Sequence, residues 1–293
     1  MRSSYVIPFP EGSPYGYRLE PESVRFNADT HLQLEHPDKI WTLKDFGYTK
    51  AQIRQCASPV AVTSPFKLLS DAGVEALYQV ATNLEAVCKE IDGKRTPRHL
   101  AGGVYRSQFL KDLCACPSIL RHMSEISGIE LFAHSMPSQQ IYINYAPQDI
   151  EKAVDAWHYD GIGFDYVVMV SNPTILLGGK FEYFRGTRDE IADMFSLSVK
   201  DIRYGITELL PADRTIQVSF PSAGYAIFQQ GNMVVHRATK LQSPAERITA
   251  VPGLVSSRTD LPDPTAVHDM PHYDEPGIQT ELAEHCRWMK QSR

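Results

Sequence analysis

Between Glu130 and Val251 the chain is cut into short runs rich in β-branched and aromatic residues: Glu130–Ala133, Gln140–Tyr145, Tyr166–Val170, Phe181–Phe184, Thr215–Phe220, Tyr225–Gln229, Met233–His236 and Arg247–Val251. Turn-forming pairs punctuate them, notably Gly178-Gly179, Pro221-Ser222 and Gly231-Asn232. Strands this short bury their apolar faces only by pairing edge to edge and packing sheet on sheet. Such a succession predicts a β-sandwich or jelly roll, mainly β with flanking helices on one face.

Helical spacing precedes the strands. Val74, Leu77, Val80, Ala81, Leu84, Val87, Cys88 and Ile91 recur on one helical face, with Ser70 or Asp71 as cap and Gly93 as terminator. A second helix is expected over Ser118–Ser127, with Pro117 before it and Gly128 after it. Thr49–Cys56 reads as a short helix, His31–Glu35 (HLQLE) alternates like a strand, and residues 187 to 210 read as a helical insertion among the strands. The expected organisation is an extension over residues 1–60 packed on the core, a jelly-roll domain over 61–260, and a C-terminal loop and helix over 261–293, the helix from Ile278 to Met289.

The chain has 293 residues, a net charge of −6 and 43% hydrophobic residues. That is an ordinary balance for a globular chain, and the acidic excess argues against nucleic acid or an anionic membrane as partner. The cluster Lys94, Arg95 and Arg98 reads as a solvated loop. Met1–Pro10 holds no long apolar run, so no signal peptide is expected. No window reaches the roughly 18 apolar residues of a membrane span. The five cysteines, Cys56, Cys88, Cys114, Cys116 and Cys286, form no disulfide or zinc framework and are expected as reduced thiols of a cytoplasmic protein.

Chemistry concentrates at Trp157-His158-Tyr159-Asp160-Gly161. Residues two apart in an extended chain share a face, so His158 and Asp160 offer an imidazole and a carboxylate to one ion. A histidine from a neighbouring strand completes a facial triad and leaves three adjacent coordination positions open. Downstream stand His236 and, eleven residues on, Arg247-Ile248-Thr249. Arg247 and Thr249 share a face by the same parity, and a guanidinium fork with a hydroxyl beside it suits a carboxylate.

The ordered set HxD, distal His, then RxT resembles the Fe(II)/2-oxoglutarate-dependent dioxygenase superfamily, in particular its phytanoyl-CoA and prolyl hydroxylase-like members. The resemblance covers roughly residues 60 to 255. Ala61–Leu77 resembles the family's entry strand and helix, Gln140–Pro147 the strand leading to the metal motif, and Gly178–Glu182 the glycine-rich turn and strand after it. The resemblance implies a double-stranded β-helix (jelly-roll, cupin-like) core and metal ligands His158, Asp160 and His236. It also implies Arg247 and Thr249 as the cosubstrate anchor, and Fe(II), 2-oxoglutarate and O2 as cofactors. Polar residues of the Gln140–Pro147 strand would touch the cosubstrate. Tyr142 and Asn144 share one face and Tyr145 takes the other, which leaves open the set that points inward. The 75 residues between Asp160 and His236 are long for the pattern, and the 187–210 insertion accounts for that.

The implied activity is oxidation of an unactivated C–H bond of a small molecule, with 2-oxoglutarate converted to succinate and CO2. Asp160 favours hydroxylation over halogenation, since halogenating relatives carry a small residue there. Desaturation or cyclisation would use the same residues. The alternatives are an oxygenase acting on a protein or nucleic-acid group and a non-catalytic metal- or ligand-binding jelly roll. Other residues take structural readings. His268 and His272 belong to a proline-interrupted loop, His134 is a structural histidine, and Trp157 and Tyr159 pack on the side opposite the ligands. Arg185, Arg98 and Arg106 read as surface ion pairs.

Overall fold

Period-two alternation sorts the strand side chains onto two faces, and each face finds a different partner. The computed structural model describes residues 9–10, 12–91, 95–258, 260–269 and 277–291. Gly93, Lys94, Pro271, His272 and Pro276 lie outside the described residues. Two antiparallel sheets form. The larger runs β1 (Ile40–Thr42), β2 (Val60–Thr63), β12 (Tyr225–Gln229), β9 (Phe164–Met169), β14 (Ile248–Ser256), β7 (Ile141–Tyr145), β5 (Arg98–Leu100) and β4 (Lys89–Glu90). β3 (Phe66–Lys67) pairs with β12, and β6 (Leu131–Ala133) with β14. The smaller runs β11 (Thr215–Val218), β10 (Phe181–Phe184), β13 (His236–Lys240) and β8 (Ala153–His158).

On the outer face of the larger sheet stand Ile141, Ile143 and Tyr145 of β7, Tyr166 and Val168 of β9, and Ile248 and Ala250 of β14. They pack against Leu77, Val80 and Leu84 of α3 (Asp71–Leu84), Phe109 and Leu113 of α4 (Gln108–Cys114), and Ile119 and Met123 of α5 (Pro117–Ser127). The intervening residues Val167, Met169 and Ile227 meet Phe181, Tyr183 and Val218 of the smaller sheet, which closes the sandwich. The outer face of the smaller sheet carries Trp157, Phe184 and Val235, under Ile191 and Ala192 of α6 (Arg188–Phe195) and Ile202 of α7 (Val199–Arg203). Helices therefore cover the outside of both sheets rather than one, because the smaller sheet also presents large apolar side chains that water would solvate poorly.

Local departures from the sequence reading have physical causes. α3 starts at the Ser70 cap, whose hydroxyl accepts from the Gly73 amide at 3.1 Å, but it stops at Leu84. Beyond a single 3-10 turn, Lys89 and Glu90 pair with His99 and Arg98 instead of continuing the helix. α5 takes Pro117 as its first residue with Cys116 as N-cap, and Gly128 ends it at φ +70°. β1, β4, β5, α4 and β8 are additional elements, and the strand expected over Met233–His236 instead begins at His236 and runs to Lys240, because residues 230–233 form a turn in which the Met233 and Val234 amides donate to the Gln230 carbonyl. β8 escapes an apolar-run reading because Asp155 and His158 interrupt it. His31 ends α1 (Ala28–His31), and the stretch after it is no strand of its own. It lies along residues 67–69 through an isolated bridge between Leu32 and Leu69 and the amides of Gln33 and Glu35. α2 (Lys50–Ile53) is capped by Thr49. α8 (Ile278–Gln291) is tied down by buried Glu281, which accepts from the Tyr105 hydroxyl at 2.9 Å and from the amide and hydroxyl of Ser138 at 2.9 and 2.7 Å. The five cysteines are free thiols. No helix among the described residues is long and apolar enough to cross a membrane.

Candidate metal centre

β8 and β13 are antiparallel neighbours, and their register sets His236 directly opposite His158. The ring centroids stand 4.2 Å apart. Asp160 follows two residues after His158, held by its amide donating to the Gly231 carbonyl at 2.9 Å. Its Oδ1 lies 3.3 Å from His158 Nε2 and its Oδ2 3.4 Å from His236 Nε2. One ligand atom from each of the three lies within 4.8 Å of the others.

The tautomers follow from the backbone. His158 Nδ1 lies 2.7 Å from the Ala156 carbonyl and His236 Nδ1 3.0 Å from the Val234 carbonyl. A carbonyl only accepts, so each Nδ1 carries the proton and each Nε2 presents a lone pair to the centre. Burial lowers the His236 pKa, which keeps the ring neutral and ligand-competent. Two imidazoles and one carboxylate converging with open positions beside them are a donor set that suits a mid first-row divalent ion such as Fe(II). Gly231 makes the approach possible: a Cβ there would lie 2.3 Å from carboxylate oxygens of both Asp160 and Asp165.

Three groups around the triad were given no functional role from the sequence. Asp155 shares the cavity with His158 although their separation breaks strand parity. A register shift between β13 and β8, with Ala238 opposite Asp155, inserts the extra residue that turns both inward. Asp155 Oδ1 stands 3.3 Å from His158 Nδ1, and burial pushes its pKa up to about 7 against the pull of Arg95. Asp165 is buried opposite Gln229 in the β9–β12 register. Burial, and then the charge of Asp160, raises its pKa well above the carboxylate range. The Gln229 amide nitrogen lies 2.9 Å from Asp165 Oδ1, 3.4 Å from Asp160 Oδ2 and 3.2 Å from His236 Nε2. Arg95, read as part of a solvated loop, instead lines the cavity, 3.5 Å from Asp160 Oδ1 and 3.9 Å from Asp155 Oδ1. A lone carboxylate inside the apolar run FDYVVM was the available signal for Asp165.

The triad opens into a cavity of about 450 Å³ between the sheets. Tyr142 and Asn144 of β7 line it, as do Val167, Thr249 and Val251 from the larger sheet and Phe181 and Ala238 from the smaller. Tyr145 points the other way, its hydroxyl donating to the Ala81 carbonyl at 2.7 Å. Arg247 is 2% exposed and also lines the cavity. Its Nε donates to the Gly179 carbonyl at 2.6 Å, and burial brings its pKa down to about 10, still a cation at neutral pH. Gly179 sits at φ +60°, and a Cβ there would come within 2.9 Å of Arg247 Cδ. Of the other residues given structural readings in the sequence, His134, Trp157, Tyr159, Arg98 and Arg106 do not line the cavity. His134 is fully buried beside Thr265 and His285, and Trp157 and Tyr159 join the outer cluster. Arg98 is held by Glu85 at 2.9 Å, and Arg106 lies 3.9 Å from Glu20.

Among solved structures, the chain is similar to SnoN, a non-haem α-ketoglutarate-dependent epimerase from nogalamycin biosynthesis, with a TM-score of 0.50 at 15% identity over 71% of this chain and 81% of that one. The chain shares the fold of that enzyme. SnoK, a carbocyclase from the same biosynthesis, gives 0.49 at 16% identity over 76% and 88% of the two chains. The non-haem monooxygenase ThoJ gives 0.48 at 15% over 83% and 99%. No family model and no curated protein matches the sequence.

Proposed function

We propose that this chain is an Fe(II)- and 2-oxoglutarate-dependent oxygenase that hydroxylates an unactivated C–H bond of a small molecule. The observation that carries this reading is the convergence of His158, Asp160 and His236 on the wall of a cavity that the buried cation Arg247 also lines. The cavity volume of about 450 Å³ lies in the range of small-molecule sites. Iron bound there supplies the redox chemistry that couples O2 to decarboxylation of a 2-oxo acid.

The protein's own residues do the rest. The backbone carbonyls of Ala156 and Val234 fix the two imidazoles with Nε2 inward, and the carboxylate of Asp160 supplies the third donor and a negative charge. The guanidinium of Arg247, backed by the Thr249 hydroxyl, receives the far carboxylate of 2-oxoglutarate. Its desolvated setting strengthens that pairing relative to a surface arginine. Tyr142 and Asn144 offer polar contacts along the same wall. Val167, Phe181 and Val251 give the cavity an apolar stretch of wall. Asp160 offers a carboxylate where the halogenating relatives carry a small residue, so oxygenation is favoured over halogenation.

The reading is tested by incubating purified protein with Fe(II), O2 and 2-oxoglutarate and measuring succinate. Formation of succinate that disappears in His158→Ala supports it. A native protein that makes none, or a variant that makes as much, overturns it. Product masses from substrates turned over in excess chloride then separate the outcomes. A gain of one oxygen marks hydroxylation, a loss of two hydrogens desaturation or ring closure, an unchanged mass epimerisation, and a chlorinated product contradicts the role given to Asp160.

A further inference from the structure

A second set of metal-type donors lies outside the cavity. His122 and Glu125 stand three apart on α5, and His36 reaches them from the stretch that lies along residues 67–69. One ligand atom from each lies within 4.8 Å of the other two. The rings of His36 and His122 are 4.8 Å apart between centroids, and His36 Nε2 is 3.8 Å from a carboxylate oxygen of Glu125. None of the three lines the cavity described above.

The chemistry of these donors is specific. His122 is 5% exposed, and its Nε2 lies 3.0 Å from the Glu35 carbonyl, next in the chain to His36. Since a carbonyl only accepts, that nitrogen carries the proton and the ring keeps one nitrogen with a lone pair. An imidazole oriented by a backbone carbonyl is the usual support of a metal-bound histidine. His36 and Glu125 are 66% and 55% exposed at the side chain, so both can rotate to close on an ion. A tetrahedral zinc site with bonds near 2.0–2.2 Å sets its ligand atoms about 3.3–3.6 Å apart; the His36–Glu125 pair stands at 3.8 Å and all three ligand atoms lie within 4.8 Å of one another, a span that rotation of the two exposed side chains can shorten. Two nitrogens and one oxygen exclude calcium and magnesium, which take oxygen donors, and suit zinc with water in the fourth position.

We infer that His36, His122 and Glu125 form a second divalent-metal site of zinc type, which clips the N-terminal stretch carrying His36 to α5. The site is independent of the iron reading, though the iron triad also offers zinc-competent donors, so the test counts both.

Full-length protein is freed of metal, dialysed against Zn2+ alone and assayed for bound zinc. The native chain is expected to hold two equivalents. His36→Ala combined with Glu125→Gln, which alters only exposed side chains, should hold one, with its circular dichroism unchanged. His158→Ala should also hold one, and zinc should raise its melting temperature. That rise should vanish when His36→Ala is added. The inference is overturned if His158→Ala binds no zinc, if the exposed pair can be replaced without losing an equivalent, or if the rise persists without His36. Failure of the iron reading appears differently, as a native chain with one equivalent that His158→Ala retains.

Discussion

At the level of single residues, Gln229 shows how much of the candidate metal centre is shaped by groups outside the proposed ligand triad. It is fully buried, and its amide faces Asp160, Asp165 and His236 at once. Replacing it with Ala frees the Asp160 carboxylate to turn and leaves Asp165 without its donor. Loss of such outer support typically costs 10–100-fold in metal affinity. Gln229→Ala is therefore expected to raise the Fe(II) concentration for half-maximal succinate formation by about that factor, and an unchanged iron dependence would remove Gln229 from the centre. Arg247→Ala should act on the other reactant. Losing a buried charge pair costs about 2–5 kcal/mol, so the half-saturating 2-oxoglutarate should rise well over tenfold while the iron dependence stays put. That His158, Asp160 and His236 converge, and that Arg247 and Thr249 line the same cavity, was legible because strand parity pairs the residues and the family resemblance gives their order along the chain. The places of Asp155, Asp165, Gln229 and Arg95 were not. A bulge, a cross-strand pairing and a loop path bring them in, and those depend on register that no local pattern encodes.

At the level of elements, the turn before β10 is tuned to Arg247. Gly179 sits at φ +60°, with Leu241 Cδ2 at 2.8 Å and Arg247 Cδ at 2.9 Å from the position of an added Cβ. Gly179→Ala should cost about 1–2 kcal/mol from backbone conformation alone. Because the nearest groups include the Arg247 side chain, it should also raise the 2-oxoglutarate requirement. A urea midpoint that falls while cosubstrate dependence is unchanged would show that the turn does not position Arg247. The same element scale explains what was legible. α5 was readable from Pro117 and Gly128, and α3 from its apolar spacing and the Ser70 cap. The end of α3 was not, because pairing of Lys89 and Glu90 with β5 is a tertiary choice that overrides helical spacing. β8 was hidden because Asp155 and His158 stand where a strand would otherwise show apolar residues.

Across the whole molecule, buried neutral histidines tie stability to pH. Burial and the neighbouring His285 hold the His134 pKa down to about 3, although Asp263 opposes the shift. The unfolded chain then takes up a proton near pH 6.5 that the folded chain refuses. This term is fully favourable to folding above pH 6.5 and is lost as pH falls below it, at up to about 1.4 kcal/mol per pH unit. Urea unfolding at pH 7, 6 and 5 should therefore show a shallower decline in His134→Gln than in the native chain, and equal slopes would contradict it. The sandwich itself was legible because eight short strands and their turns leave few other ways to bury apolar faces. The cover of α6 and α7 on the smaller sheet was not, since an insertion's docking face depends on what the sheet exposes. One cavity joins the proposed metal triad to the proposed carboxylate receptor. The most direct test of that pairing is calorimetric titration of 2-oxoglutarate into Fe(II)-loaded protein without oxygen. One equivalent should bind to the native chain, binding should weaken at least tenfold in Arg247→Ala, and none should be detectable in His236→Ala. Equal binding by all three proteins, or none by the native one, would contradict the account.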